Sequence, residues 1–231
     1  MTRPIALVTG ATSGIGREIV AELARTHDII GTGRDAAALE SLSGHRTLQA
    51  DLRDPAAFAA DGPFARLFAE LPRLDVLVHS AAVGTPWPFE ETTLEEWHRQ
   101  FDTNVIAPAA LTTLALPLVR TAQGTIVFIG SGVSLRPARN MAAYVATKHA
   151  LKGLADTLRL EVEPQRVRVA TVMPGQVATP MQVELQDRTG GTYTPERYIQ
   201  PSSVAGAVRF VVDAPADVQI TDLSVRPREV P

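Results

Sequence analysis

Near its start the chain reads Ile5-Ala6-Leu7-Val8-Thr9-Gly10-Ala11-Thr12-Ser13-Gly14-Ile15-Gly16, continuing Arg17-Glu18-Ile19-Val20-Ala21-Glu22-Leu23. A short apolar run, a glycine-rich turn and apolar residues at helical spacing predict strand, tight turn and helix in that order. Glycines let the backbone turn sharply and approach a ligand closely, and the amides that open a helix attract an anion. Gly10, Thr12, Ser13, Gly14, Ile15 and Gly16 are therefore candidates for holding the pyrophosphate of a dinucleotide. The spacing is Gly-x-x-x-Gly-x-Gly, without the Gly-x-Gly-x-x-Gly fingerprint. A tight strand–helix connection with no ligand is the competing reading.

Outward from that unit the alternation continues. Strand-like runs fall at Ile5–Val8, Asp28–Gly31, Thr47–Gln49, Val76–His79, Thr125–Ile129, Val167–Val172 and Gln219–Val225. Helical patterns lie between them at Ile15–Arg25, Ala36–Leu42, Phe64–Leu71, Leu94–Phe101 running on to Val119, Ala143–Leu160 and Ser203–Val212. Thr93 three residues before Glu96 reads as a capping box, and Asp35 as a helix cap. The prediction is a single α/β domain over 1–231, a Rossmann-like doubly wound parallel sheet of about seven strands with helices on both faces. Most strand runs lack polar alternation, as sheets buried on both faces do. The polar stretch Pro180–Gln200 reads as an irregular substrate loop, with a disordered insertion as the alternative.

Composition removes several function classes. A chain of 231 residues, 45% hydrophobic and 20% charged, with net charge −3, carries no basic run for nucleic acid. It has no Cys, which excludes thiolate metal sites, disulfides and Cys nucleophiles, and with no His-x-x-x-His pair no metal site is expected. Met1-Thr2-Arg3-Pro4 leads into an apolar stretch too short to span a membrane, so the expectation is a cytoplasmic protein with no membrane partner.

Two local features carry chemistry. The second strand ends Gly31-Thr32-Gly33-Arg34. Gly33 stands where a ribose-reading carboxylate would mark an NAD site, and Arg34 can pair with a 2′-phosphate. NADP(H) is the favoured cofactor, with NAD(H) as the alternative. The second feature is Tyr144-Val145-Ala146-Thr147-Lys148. Basic charge here is twenty Arg against two Lys, so a Lys one helical turn from a Tyr calls for a specific reason. A neighbouring ammonium favours phenolate and is expected to lower the Tyr144 pKa, making it a general acid/base. A solvated helix face with a packed Tyr is the bland alternative.

With Thr9-Gly10-x-x-x-Gly14-Ile15-Gly16 and Tyr144-x-x-x-Lys148 both present, the chain resembles the short-chain dehydrogenase/reductase family along nearly its whole length. The resemblance implies Ser131, Tyr144, Lys148 and Asn104 as a catalytic tetrad, the last three also touching the cofactor and Asn104 anchoring a water. It implies Asp51 and Leu52 beside the adenine, and Pro174, Gly175, Val177 and Thr179 near the nicotinamide. It further implies a small carbonyl or alcohol substrate, hydride transfer to or from nicotinamide, and a homodimer or homotetramer paired through the helices around 104–119 and 143–160. One stretch departs: the family's Asn-Asn-Ala-Gly is His79-Ser80-Ala81-Ala82 here. Ala81 is kept, Ala82 adds a methyl near the adenosine ribose, and His79 reads as a satisfied buried histidine. That departure motivates the alternative of a dinucleotide-binding sensor or scaffold without turnover; a nucleotide-dependent methyltransferase would leave Tyr144 and Lys148 unexplained. Substrate contacts are expected from Ser134–Ala143, Gly84–Phe89 and the 180–200 stretch, with Trp87, Phe89, Met141, Met181 and Tyr193 as apolar walls and Arg136 and Arg139 as charged handles.

Overall fold

Strands apolar on both sides can be satisfied only by cover on both sheet faces, and that is how the chain is arranged. The computed structural model describes residues 3–42 and 44–228; Met1-Thr2 of the N-terminal reading lie outside them. The elements in chain order are β1 (Ile5–Thr9), α1 (Gly14–Leu23), β2 (Asp28–Gly33), α2 (Ala36–Glu40), β3 (Arg46–Gln49), α3 (Pro63–Ala69) and β4 (Val76–His79). There follow α4 (Leu94–Phe101), α5 (Ala107–Ala122), β5 (Thr125–Ile129), α6 (Ala142–Val162), β6 (Arg168–Pro174), α7 (Pro180–Thr189), α8 (Pro201–Val212) and β7 (Asp222–Val225). The strands form one sheet in the order β3-β2-β1-β4-β5-β6-β7, with every pairing parallel.

Successive side chains of each strand point to opposite faces. Ala6, Val8, Val127 and Ile129 therefore join α1 and α8 through Ile19, Leu23, Val204 and Val208. Leu7, Ile126 and Phe128 join α3, α5 and α6 through Phe64, Leu111, Ala115 and Leu151. Strand order reverses between β1 and β4, and the cleft opens at the carboxyl ends of those strands, where doubly wound sheets bind ligands.

Three local outcomes differ from the sequence reading. The Pro180–Gln200 stretch is half helix: Thr179 caps α7 by accepting from the Gln182 amide, Pro180 opens it, and Gly190 closes it at φ 68°. Glu96 does not complete a capping box; Thr93 accepts from the Glu96 amide, but the Glu96 carboxylate turns to Arg99 and Gln100. The helical run from Leu94 is interrupted by a π-helical turn at Asp102–Ile106, which holds Asn104. By length and composition Leu94–Ala122 is apolar enough to cross a bilayer. Here its buried stripe, Leu111, Ala115 and Val119, packs into the core beside the sheet. Asp35 caps α2 as predicted, accepting from Ala38.

Candidate active site

The glycine turn can sit at the cleft because Gly10 adopts φ 65°, and a Cβ there would lie 2.8 Å from Ala81 Cα. Thr9 Oγ1 fixes the opposite wall by accepting from the amides of Ser80 and Ala81 at 3.0 and 3.1 Å. At the start of α1, Ser13 makes no side-chain cap, so its hydroxyl does not compete with an anion for the first-turn amides. All of Gly10, Thr12, Ser13, Gly14, Ile15 and Gly16 border a single cleft of about 690 Å³. Arg34, Asp51, Leu52, Ala81 and Ala82 border it at the same end. Burial works against the Asp51 carboxylate, but the Arg53 amide and guanidinium outweigh it and hold the pKa below the usual carboxylate value. Arg34 is exposed and enters no ion pair among the described residues.

Ser131, Tyr144, Lys148, Pro174, Gly175, Val177 and Thr179 border the same cleft. Ser131 ends the segment after β5 as the cap of a short turn, with Ser134 Oγ accepting from its amide at 3.1 Å. Its hydroxyl also hydrogen-bonds the Tyr144 phenol. Lys148 is only 2% exposed, donates to the Ile129 carbonyl at 2.9 Å, and lies 5.6 Å from the centre of the Tyr144 ring. Burial without a counter-charge pulls its pKa down to about 8. The expected lowering of the Tyr144 pKa by Lys148 is not what the protein's own groups produce. Burial raises the Tyr144 pKa above 10, and the Ser131 bond offsets this only in part. Tyr144 keeps some surface open to the cleft, so the phenol is desolvated yet reachable.

Asn104 stands behind the wall instead of on it. Its Oδ1 accepts from the Val83 amide at 2.9 Å, while Nδ2 donates to the Val83 carbonyl at 2.8 Å and to Thr147 Oγ1 at 3.0 Å. It thus ties the departing 79–84 segment to α6, one residue from Lys148. His79 is buried, within 2.9 Å of Thr112 Oγ1 and stacked on Phe128 at 4.8 Å. Burial drives its pKa down to about 3, so the ring stays neutral.

Of the expected substrate contacts, Arg136, Met141 and Met181 reach the cleft and Arg139 does not. Tyr193 faces a separate hollow on the other side of α7, and Phe89 is 71% exposed against the edge of Trp97. Trp87 pairs with the Met141 segment and lies under Arg188 of α7, 5.4 Å from ring centre to guanidinium. Sequence reasoning missed Arg99, held by Glu96 and Thr85 at the cleft edge, and Arg226 just past β7. Glu96-x-x-Arg99 was a readable helical ion pair. Arg226 belongs to no motif.

The residues present fit a dinucleotide. Besides the uncapped helix start and the Gly10 cradle, two buried polar atoms without partners, Thr32 Oγ1 and Gln182 Nε2, belong to residues on the cleft wall. Residues 4–190 match the family described as short chain dehydrogenase. Dehydrogenase/reductase SDR family member 7B of Bos taurus is 33% identical over 207 residues, covering 82% of this chain; the chain spans 62% of the bovine protein. An NADP-dependent 3-hydroxy acid dehydrogenase of Salmonella typhimurium is 31% identical over 237 residues, covering 96% of this chain and 94% of that protein. An alcohol dehydrogenase from Thermococcus sibiricus, complexed with 5-hydroxy-NADP, superposes with a TM-score of 0.87 at 25% identity, covering 99% of this chain and 98% of that one. A family match along most of the chain, joined by a relative more than 30% identical over almost its full length, makes this chain a member of the short-chain dehydrogenase family of NAD(P)-dependent oxidoreductases.

Proposed function

We propose that the protein is an NADP(H)-dependent carbonyl reductase or alcohol dehydrogenase, with Tyr144 as the acid/base acting on a ketone, aldehyde or secondary alcohol. The observation that carries this is the Tyr144 phenol, bonded to Ser131, beside the Lys148 ammonium, in the cleft that also holds the glycine turn and Arg34. When bound, the dinucleotide supplies or accepts the hydride. Tyr144 gives its proton to the carbonyl oxygen in reduction and takes one from the alcohol in oxidation. Its pKa, raised by burial, keeps the phenol protonated at neutral pH, the form that reduction needs. Ser131 Oγ donates to the same oxygen as negative charge develops there. Lys148 favours the phenolate left behind and offers its remaining donors to ribose hydroxyls.

At the other end, the first-turn amides of α1 hold the pyrophosphate, with Asp51 and Leu52 beside the adenine. Pro174, Gly175, Val177 and Thr179 line the nicotinamide end. Arg34 pairs with the 2′-phosphate, and Gly33 presents no carboxylate to repel it. The NADP in the names of the Salmonella relative and the Thermococcus complex supports this choice. Ile106 and Leu160, 56% and 72% exposed beside α5 and on α6, support pairing of these helices in a homodimer or homotetramer. A single domain over 1–231 working in the cytoplasm completes the reading; a chain without Cys suits a reducing compartment.

The test is loss of NADPH absorbance with a panel of ketones and aldehydes. Turnover of at least one, absent in Tyr144→Phe, is the expected result. Stabilisation by NADPH with no turnover of any carbonyl or alcohol would instead leave a cofactor-binding sensor.

A further inference from the structure

Most charges bordering the cleft have partners. Asp51 pairs with Arg53 at 3.2 Å, Arg99 with Glu96 at 2.7 Å and Glu184 with Arg188 at 3.1 Å, while Lys148 donates to Ile129. Arg34 lies at the end read above as the phosphate site. Two guanidiniums on the wall enter no ion pair among the described residues, Arg136 and Arg226.

Arg226 is brought there by the sheet. Parallel pairing sets Val225 of β7 beside Pro174 of β6, and the Gly175 amide donates to the Val225 carbonyl at 2.7 Å. From that position the side chain crosses to Gly132, whose missing Cβ would collide with Arg226 Nη1. Gly132 follows Ser131 directly, and Ser131 hydrogen-bonds the Tyr144 phenol. The guanidinium therefore stands one residue from the reacting end, on the exposed side of the cleft. Arg136 approaches from the segment between Ser134 and Tyr144. Val133, Met141, Met181 and Leu185 give the same cleft apolar lining.

We propose that Arg226, with Arg136 bordering the same cleft, determines specificity by pairing with a carboxylate of the substrate, so that the substrate couple is an oxo acid and its hydroxy acid. This rests on the carbonyl/alcohol reading above and names its substrate class. A planar guanidinium fork matches the two oxygens of a carboxylate. A guanidinium that enters no ion pair among the described residues is open to a carboxylate brought by the ligand. The substrate then enters carbonyl first, and its carboxylate stays at the mouth.

To test this, kcat/KM is measured with NADPH for α-, β- and γ-oxo acids, each against its methyl ester. The acid is expected to lead its ester by about tenfold or more at one chain length, the usual weight of a charge-assisted hydrogen bond. Arg226→Ala brings that ratio close to unity and Arg226→Lys keeps part of it. Arg139→Ala, outside the cleft, leaves it unchanged. Equal rates for acid and ester in the wild type overturn the proposal, as does an unchanged ratio in folded Arg226→Ala. Weakened NADPH binding in Arg226→Ala also overturns it by moving the guanidinium onto the cofactor. A calorimetric titration of butyrate against butanamide, on protein saturated with NADP⁺, decides the same point without turnover. Binding of butyrate alone, lost in Arg226→Ala, supports the anion site even if no carbonyl is reduced and the catalytic reading falls. Equal binding of the two overturns the anion site while leaving any observed reductase activity in place.

Discussion

Gly84 lies against the ring of Tyr144, so close that a methyl there would stand 2.6 Å from Tyr144 Cδ2. The ring can face the cleft only because position 84 has no side chain. Gly84→Ala should therefore displace the phenol or the 79–84 segment, with a stability cost of about 1–3 kcal/mol typical of overpacking. The expected outcome is at least a tenfold fall in kcat and a lowered Tm, with stabilisation by NADPH still measurable. Unaltered kcat would mean that the phenol's position is not what turnover depends on.

Tyr144→Phe removes the proton donor and keeps the ring, so turnover should fall by several orders of magnitude with little change in NADPH affinity. The phenol's pKa can be read from the ultraviolet difference between wild type and this variant. In the protein alone it should lie above 10, where burial holds it. The pH limb of alcohol oxidation should lie lower, because the positive charge of oxidised nicotinamide favours phenolate. Reduction should hold at neutral pH and fall as the phenol ionises; oxidation should rise through the same ionisation. Coincidence of the two pKa values would show that the cofactor's charge does not reach Tyr144.

Arg34→Ala should raise the KM for NADPH by roughly ten- to a hundredfold while moving that for NADH little, since guanidinium–phosphate pairs are charge-assisted. Equal kcat/KM for both cofactors in the wild type would remove the role given to Arg34.

His79 makes stability depend on pH. Its folded pKa is about 3 against 6.5 unperturbed, so between those values the unfolded chain binds the extra proton. The stability it contributes is complete above 6.5 and is lost as pH falls towards 3, at about 1.4 kcal/mol per pH unit. Urea midpoints on either side of pH 6.5 should show a shallower loss in His79→Asn than in wild type. His27, lowered by burial and by Arg209, adds a component that this variant leaves in place. Identical slopes in the two proteins would place His79 in contact with water.

The strand–turn–helix opening was legible because its signals are local: apolar period, glycines and a helix start within twenty residues. Tyr144 and Lys148 were legible as neighbours, since a helix fixes what stands four apart. Their electrostatics were not, because burial comes from β5 and the rest of the fold and no spacing records it. Helix α7 was hidden by its polarity; only Gln182 in it is buried, so there is no apolar stripe to see. Its Thr179-Pro180 start and Gly190 stop were nonetheless in the sequence. Arg226 could not have been found at all. Its meeting with Gly132 exists only once β7 is laid beside β6.

Helix α7 has a thermodynamic consequence. Its first turn, Thr179 and Pro180, borders the cleft beside Gly14, where a Cβ would lie 3.2 Å from Thr179 Cγ2. Met181 and Leu185 of the same helix border it too, and Arg188 lies over Trp87. The same short helix thus lines the cleft both beside the glycine turn and at Met181 and Leu185, so on the proposed reading dinucleotide and substrate both touch it. Coupling carried by this shared helix is reciprocal: the factor by which dinucleotide tightens substrate is the factor by which substrate tightens dinucleotide.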